Sequence, residues 1–195
     1  MQWKNGSTYT AYCNMSIDEG GWTVFQRRVD PSLSFNRNWK QYADGFGTSE
    51  GNFWLGLEAL HQLTSQGRNV TLRIDLKDKT GQWGFAKYSD FRISGAADEY
   101  RLQVGGWSGN RGDSLTYSNG MPFSSPDRDN DLSSNNCAEK YDGSWWFKSC
   151  FRAHLNGLHY DTVPPPFEKL RMMSWYTWAE EMGTITYSEM KLKVL

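Results

Sequence analysis

The sequence predicts a single domain built from many short antiparallel strands and two short helices. The first observation is composition: aromatic residues make up 15% of the 195 residues, and the chain contains 19 Gly. Large rings, many glycines and few long apolar runs are typical of short strands joined by tight turns. The second observation is a set of segments in which apolar and polar residues alternate, as in strands. The third is a pair of segments with apolar residues three and four positions apart, as in helices.

In chain order, the predicted elements are strands at 9–13 and 22–29, helices at 36–43 and 53–65, strands at 70–76, 84–88, 91–93 and 100–104, and a closing strand at 184–194. The strand at 22–29 is rich in β-branched and aromatic residues and ends at the turn-forming pair Asp30-Pro31. Trp39 and Tyr42 lie three positions apart, which indicates a short helix that ends before Gly45.

The periodic patterns are clear up to about residue 104 and are then lost until the closing strand. The second helix has an apolar stripe through Leu57, Leu60 and Leu63. The strand at 70–76 alternates cleanly, which predicts one buried face and one solvated face. The strands after it are spaced like an antiparallel meander, and the closing strand alternates again. Between 105 and 136 Gly, Ser, Asn and Asp dominate, and an irregular segment of this length is expected to be functional or held by a metal.

Charge and hydropathy exclude several function classes. The formal net charge of -1 gives no electrostatic reason to bind nucleic acid or an anionic membrane. No run approaches the roughly 18 apolar residues that span a bilayer, so membrane insertion is not expected. Met1 is followed at once by polar residues without a signal-peptide pattern, which is compatible with an artificial start or with a fragment of a longer protein.

Cysteines and sequons point to an oxidising, secreted setting. Cys137 and Cys150 lie thirteen positions apart around a turn-rich segment and are predicted to form a disulfide. Cys13 is left over, either as a buried free thiol or as the partner of a cysteine upstream of Met1. Zinc is not predicted, because the chain has no Cys-x-x-Cys and no paired His. Three glycosylation sequons, which favour secretion beside a disulfide, begin at Asn5, Asn14 and Asn69.

The segment from 127 to 157 carries the main candidate chemistry. Asp127, Asp129 and Asp131 alternate with polar residues, so an irregular loop can bring their carboxylates together around a cation such as Ca²⁺. An EF-hand does not fit, because its sixth position would be Leu132 and its twelfth would be Ala138, not Gly and Glu. The residues alone therefore leave two interpretations open, a solvated acidic turn and a cation-binding loop.

No catalytic constellation is predicted. His61, His154 and His159 have neither a matched nucleophile nor a carboxylate pair, so the chain is not expected to be an enzyme. The tripeptide Arg111-Gly112-Asp113 spells an integrin-binding motif, and chance occurrence is the favoured explanation for it. Trp145, Trp146, Trp175 and Trp178 are expected to pack in the core.

Taken together, these segments resemble the fibrinogen C-terminal domain family, which includes ficolin-like, tenascin-like, fibrinogen-like and invertebrate lectin-like members. The resemblance covers essentially the whole chain. It rests on Gly20-Gly21-Trp22-Thr23-Val24-Phe25-Gln26-Arg27-Arg28, Trp39, Gly45-Phe46-Gly47, Phe53-Trp54-Leu55-Gly56-Leu57, Gly112-Asp113-Ser114-Leu115, Asp129-Asn130-Asp131, Asn136-Cys137-Ala138, Trp145-Trp146-Phe147-Lys148-Ser149-Cys150 and Asn156-Gly157.

The resemblance implies one α+β domain in three parts. Residues 1–20 would be a truncated N-terminal part, in which Cys13 is unpaired because its family partner lies upstream. Residues 21–105 and 183–195 would form a twisted antiparallel central sheet with two short helices, into which the last strand inserts. Residues 106–182 would form a loop-rich part that carries calcium and ligand.

The resemblance also implies the site residues. It places Ca²⁺ on the carboxylates of Asp129 and Asp131 and on the backbone carbonyls of Ser133 and Asn135, with Asp127 outside the inner shell. In lectin-like members an acetyl group occupies a pocket beside the calcium. The corresponding residues here are Asn136, Cys137, Ala138, Tyr141 and Phe151, with a cis peptide at Asn136-Cys137.

Two departures weaken the acetyl pocket. Phe151 stands where many lectin-like and fibrinogen-like members have His, which keeps an apolar wall but removes a hydrogen-bonding group. The segment 160–173 includes three prolines and looks about two residues longer than in those lectins, so no second pocket tyrosine aligns there.

The leading interpretation is a secreted, calcium-binding recognition domain, a lectin for acetylated glycans or microbial surface groups. Its partners would be acetylated carbohydrate, a glycoprotein or a receptor, and the full-length protein is expected to form homo-oligomers through an upstream segment. The alternative is a protein–protein interaction domain, as in receptor ligands, matrix proteins or clot-type modules, without sugar binding.

Overall fold

One large antiparallel sheet organises the protein. In the computed structural model, residues 11–65, 67, 69–160, 168–178 and 185–195 are described. The strands are β1 (Cys13–Asn14), β2 (Trp22–Arg28), β3 (Phe46–Gly47), β4 (Phe53–Trp54), β5 (Val70–Asp78), β6 (Trp83–Ile93), β7 (Leu102–Gly109), β8 (Ala153–His154), β9 (Ser174–Trp175) and β10 (Ile185–Val194). The α-helices are α1 (Trp39–Asp44), α2 (Leu57–Thr64) and α3 (Cys137–Lys140).

The sheet order confirms that the last strand inserts in the middle. Eight strands form it, in the order β3-β4-β2-β10-β5-β6-β7, with β1 added beside β2. All neighbours are antiparallel, and Met190 of β10 lies opposite both Gln26 of β2 and Ile74 of β5. β8 and β9 form a separate two-stranded ribbon. The architecture is the predicted α+β fold with a central antiparallel sheet.

Both faces of β5 are covered, which differs from the half-buried strand that alternation predicted. Leu72, Ile74 and Leu76 are fully buried in the main core, as expected. Arg73 and Asp75 on the other face are only 8% and 7% exposed. Asp18, in the segment before β2, pairs with Arg73, and Lys191 of β10 lies against Asp75. The polar half of the alternation therefore marks a buried ionic layer and not a solvated face.

That ionic layer is centred on Lys191 of β10, whose side chain is fully buried. Its ammonium lies 2.7 Å from a carboxylate oxygen of Glu189 and also contacts Asp75. Arg73 pairs with Asp75 at 2.8 Å and with Asp18 at 2.8 Å. These pairs join three segments that are distant in sequence, and each buried charge has an opposite charge beside it, as burial requires.

The start of each of the two longer helices is set by the residue just before it. Asn38 caps α1, since its side chain accepts a hydrogen bond from the Gln41 N–H at 2.9 Å and the Gln41 side chain accepts one from the Asn38 N–H at 3.2 Å. The prediction that the second helix begins at Phe53 is wrong. Phe53 and Trp54 form β4, and the helix begins only at Leu57. Gly56 separates the two elements, since it adopts φ 112 and a Cβ there would lie 2.9 Å from the Ala43 carbonyl oxygen.

Aromatic rings join the helices, the sheet and the loop-rich part into one core. Phe123 packs edge-on against Trp146 with ring centroids 5.2 Å apart, and Tyr42 lies 5.4 Å from Trp54. Core packing is confirmed for Trp145, Trp146 and Trp175, which are at most 2% exposed, whereas Trp178 is half-buried.

Other boundaries also differ from the prediction. The strands expected at 84–88 and 91–93 are one continuous strand, β6, and β7 extends to Gly109, past the predicted boundary at residue 105. The short elements β3, β8, β9 and α3 were not predicted. Asn5, residues 9 and 10 of the first predicted strand, and 161–167 of the lengthened segment lie outside the described residues. None of the described helices has the length and hydrophobicity that crossing a membrane requires.

Candidate functional site

A disulfide closes the segment that carries the candidate chemistry. Cys137 at the start of α3 is bonded to Cys150, with Cα atoms 5.7 Å apart, which confirms the predicted pair. Cys13 is free and exposed, so the alternative of a buried thiol is wrong.

The loop before α3 holds two carboxylates next to each other. The Asp131 carboxylate accepts hydrogen bonds from the N–H groups of Ser133 at 2.7 Å and Cys137 at 2.9 Å. The Asp129 carboxylate accepts one from the Asp131 N–H at 3.2 Å. Burial, together with the neighbouring Asp129 carboxylate, raises the pKa of Asp131. The loop therefore concentrates negative charge at a position where a cation would relieve it.

The donor set of this loop fits calcium better than a softer metal. Every candidate ligand is an oxygen, and Ca²⁺ takes six to eight hard oxygen ligands. Among the described residues, no N–H donates to the carbonyl oxygens of Ser133 or Asn135, so both oxygens are available. The described part of the chain contains no group of three or more His, Cys, Asp or Glu side chains placed to hold a metal. A calcium here would therefore depend on two carboxylates, backbone carbonyls and water.

Asp127 has a different role from the other two aspartates. Its carboxylate accepts hydrogen bonds from the Trp39 N–H at 2.8 Å and the Ser125 hydroxyl at 2.7 Å. Although burial works against its charge, these hydrogen bonds lower the pKa of Asp127. Asp127 thus ties the loop to the N-terminal end of α1.

The expected cis peptide at Asn136-Cys137 is wrong, because the cis bond lies at Ser149-Cys150. Asn136 instead caps α3: its side-chain oxygen accepts hydrogen bonds from the N–H groups of Ala138 at 2.9 Å and Glu139 at 3.1 Å. An N-cap residue is extended and is followed by helical residues through ordinary peptide bonds, so this position has no need of a cis bond.

Two of the five predicted pocket residues meet at the surface. The rings of Tyr141 and Phe151 are half-buried and pack edge-to-face, with centroids 5.1 Å apart. Cys137 and Ala138 are fully buried, and the Asn136 side chain is used in capping. The surface that a ligand would meet is therefore an apolar wall of Tyr141 and Phe151, called the aromatic wall below.

A buried histidine lies behind this wall. The His154 ring is 5.0 Å from the Phe151 ring, and its Nε2 lies 3.2 Å from the Tyr141 carbonyl oxygen. Burial lowers the pKa of His154 to about 3, so the imidazole is neutral at physiological pH. Its Nδ1 has no hydrogen-bond partner among the described residues. Sequence reasoning considered His154 only as a catalytic candidate and missed this supporting position.

The Arg-Gly-Asp tripeptide is tied to the domain itself. Arg111 stacks on Trp178, its guanidinium carbon 4.2 Å from the ring centroid, and donates to the Trp83 carbonyl at 3.1 Å. The Asp113 carboxylate accepts hydrogen bonds from the Tyr88 hydroxyl at 2.8 Å and the Thr116 N–H at 3.0 Å. These contacts give both charged side chains a structural role, which agrees with chance occurrence of the motif.

Comparison with known proteins agrees with this fold. A family model described as the C-terminal globular domain of fibrinogen beta and gamma chains matches residues 1–195. "Fibrinogen-like protein A" of Apostichopus parvimensis is 44% identical over 191 residues, 96% of this chain and 66% of that protein. Tenascin-R of Homo sapiens is 42% identical over 182 residues, 93% of this chain and 13% of that protein. The chain thus spans about two thirds of the first relative and a small part of the second.

Solved structures show the same fold. The fibrinogen-like globe domain of human ANGPTL2 superposes with a TM-score of 0.89 at 37% identity, covering 94% of this chain and 84% of that one. The lamprey fibrin D-dimer, which was solved with the peptide ligand Gly-His-Arg-Pro-amide, superposes with a TM-score of 0.87 at 32% identity, covering 98% of this chain and 66% of that one. The chain therefore belongs to the fibrinogen C-terminal domain family.

Proposed function

We propose that the chain is an extracellular recognition domain that binds calcium at the loop 129–135 and an acetylated group of a glycan or microbial surface at the aromatic wall. The observation that carries this proposal is the half-buried contact of Tyr141 with Phe151 directly beside the disulfide. Small-ligand sites are mostly apolar, with a few polar groups that fix orientation.

The backbone beside the wall supplies the polar group that an acetyl ligand needs. Among the described residues, the N–H groups of Cys150 and Phe151 donate to no acceptor. An acetyl methyl would pack on the rings, and its carbonyl oxygen would accept one of these hydrogen bonds. The disulfide and the family membership support a secreted, non-enzymatic protein. A single such site binds weakly, so oligomers assembled through other segments would gain avidity.

Acetyl binding is tested by titrating the domain with N-acetylglucosamine while following ligand-observed NMR. Saturable binding is expected, with glucosamine as the control that lacks the acetyl group. Tyr141→Ala should abolish binding, because half of the wall is removed. Tyr12→Ala removes an exposed tyrosine that stacks with Arg27, away from the wall, and should leave binding unchanged. Absence of binding at tens of millimolar sugar would refute the acetyl proposal.

Calcium binding is tested by thermal unfolding with and without EDTA. Calcium at about a hundredfold excess over its Kd should raise Tm by about 5–10 °C. Asp131→Ala should remove this increment. Asp127→Ala is the matched control: it should lower Tm by breaking the contact with Trp39, yet retain the increment. An equal increment in the Asp131 variant would place the calcium elsewhere, and no increment in the wild type would refute calcium binding.

A polypeptide ligand is the second candidate. Phe151 adds a ring without a polar group to the wall, which suits an apolar side chain of a protein partner as well as an acetyl methyl. The lamprey fibrin structure contains a bound peptide, so a domain of this fold can take a polypeptide ligand. Failure of the sugar titration with retained calcium binding would favour this candidate.

A further inference from the structure

A group of cationic and tyrosine side chains forms a second surface near the disulfide. Tyr117 lies in a 3₁₀ turn at Thr116–Ser118, Lys148 and Arg152 flank Cys150 in the sequence, and Tyr176 follows β9. Tyr117, Lys148, Arg152 and Tyr176 are called the cation–tyrosine patch below.

The patch is held together by stacking and by backbone contacts. The Arg152 guanidinium carbon lies 5.2 Å from the Tyr117 ring centroid and 5.9 Å from the Tyr176 centroid. The Lys148 ammonium lies 5.2 Å from the Tyr117 centroid. The Tyr176 N–H donates to the Arg152 carbonyl at 2.9 Å, which anchors both residues beside the β8–β9 ribbon. The side chains are thus positioned by the fold.

Neither cation of the patch has a carboxylate partner among the residues that the structure describes. Within the described parts of the chain, no Asp or Glu oxygen forms an ion pair with Lys148 or Arg152. Other surface arginines do have one: Arg101 lies 2.9 Å from Asp98, and Arg128 lies 2.6 Å from Glu99. A cation–π contact at an exposed site contributes only about 0.5–1 kcal/mol and leaves the guanidinium N–H donors free for another group.

The patch also presents aromatic area to solvent. Tyr176 is 58% exposed, and Arg152 is exposed beside it. Tyrosine and arginine are the residues most enriched, with tryptophan, at the energetic centres of protein interfaces. The positive charge of Arg152 beside the exposed Tyr176 ring is therefore suited to a ligand in which an anionic group has an apolar neighbour.

We propose that the cation–tyrosine patch docks an acidic segment of a protein partner. A Glu or Asp side chain of the partner would accept paired hydrogen bonds from the Arg152 guanidinium, with Lys148 adding charge and the next residue packing on Tyr176. Two cations suit one carboxylate, whereas polyanions such as sulfated glycans are held by longer cationic tracts. The net charge of the chain is -1, which gives a polyanion no general electrostatic attraction. A protein is therefore favoured over a glycan.

The proposal is tested with fluorescein-labelled decapeptides that place Leu-Glu-Glu-Leu in a Gly/Ser background, and with Leu-Gln-Gln-Leu and Leu-Lys-Lys-Leu versions. Fluorescence anisotropy should show saturable binding of the Glu peptide alone. Arg152→Ala should weaken it by about tenfold or more, because charge-assisted hydrogen bonds are lost. Tyr176→Ala should weaken it without changing its salt dependence, and Lys148→Ala should reduce the salt dependence.

The controls separate this site from others. Arg92→Ala removes an exposed arginine that is paired with Asp90, and should leave peptide binding unchanged. Arg152→Ala should leave N-acetylglucosamine binding at the aromatic wall unchanged, so the two proposals fail independently. An unchanged Tm shows that the Arg152 variant is folded. No binding of the Glu peptide up to about 1 mM, or equal binding by the Arg152 variant, would overturn the proposal. Arg152-dependent binding of heparin without binding of the Glu peptide would overturn it in favour of a glycan.

Discussion

Arg28→Ala is expected to lower the free energy of unfolding by about 3–5 kcal/mol. Arg28 on β2 is 1% exposed, and its guanidinium donates to the carbonyl oxygens of Leu155 at 3.1 Å and Gly157 at 2.8 Å. The guanidinium carbon also lies 3.9 Å from the Phe35 ring centroid. Truncation would leave the Gly157 carbonyl without this donor and open a cavity against Phe35.

The charge of Arg28 is itself costly, since burial lowers its pKa to about 10. Arg28→Met retains most of the side-chain volume but no donor. Its free energy of unfolding should therefore lie between those of the wild type and of Arg28→Ala. Urea unfolding followed by tryptophan fluorescence measures both. Arg92→Ala, at an exposed arginine, should change stability by less than about 0.5 kcal/mol. If Arg28→Ala lowers the free energy of unfolding as little as Arg92→Ala does, the hydrogen bonds from the sheet to Leu155 and Gly157 contribute little to stability.

Lys191→Met is expected to cost about 3–5 kcal/mol, because it leaves two buried carboxylates without their shared cation. Lys191 is fully buried against Glu189 and Asp75. Lys193→Met, on the same strand but half-buried, is the matched control and should cost less than about 1 kcal/mol. Urea is the suitable denaturant, because a denaturing salt would screen the charges.

A second substitution tests whether charge is the cause. Without Lys191, Asp75 keeps only Arg73 and Glu189 keeps only Arg27 as a cationic partner among the described residues. Glu189→Gln added to Lys191→Met removes one of these two negative charges, so the double variant should be more stable than Lys191→Met alone. If the double variant is instead less stable, the loss at Lys191 would come from packing and not from uncompensated charge.

The sequence predicted the parts of the fold that depend on local pattern. Alternation located β5 and β10, β-branched and aromatic residues located β2, and the spacing of two cysteines in a turn-rich segment identified the disulfide. β6 was predicted as two shorter strands. β4 was missed because Phe53 and Trp54 run directly into the apolar residues of α2, and only the backbone of Gly56 separates them. Two-residue strands such as β8 have no periodicity at all, so composition cannot reveal them.

Contacts between residues distant in sequence limited how much of the core and of the site could be predicted. Arg73 and Asp75 look like a solvated face in the sequence, because Asp18, which helps to cover them, is more than fifty positions away. The wall of Tyr141 and Phe151 was predicted from family resemblance, not from any pattern. His154 behind it could have been suspected only from its apolar neighbours, and the cis peptide was assigned to the wrong cysteine.

The position of β10 has a consequence for how the molecule is made. β10 lies latest in the sequence among the strands, yet it sits between β2 and β5 and joins the two halves of the sheet. During synthesis β2 and β5 leave the ribosome early and have no partner on their facing edges until β10 follows. Pairings this far apart in sequence form slowly, and open strand edges invite association in the meantime. Protection of those edges until β10 arrives is therefore expected to favour correct folding.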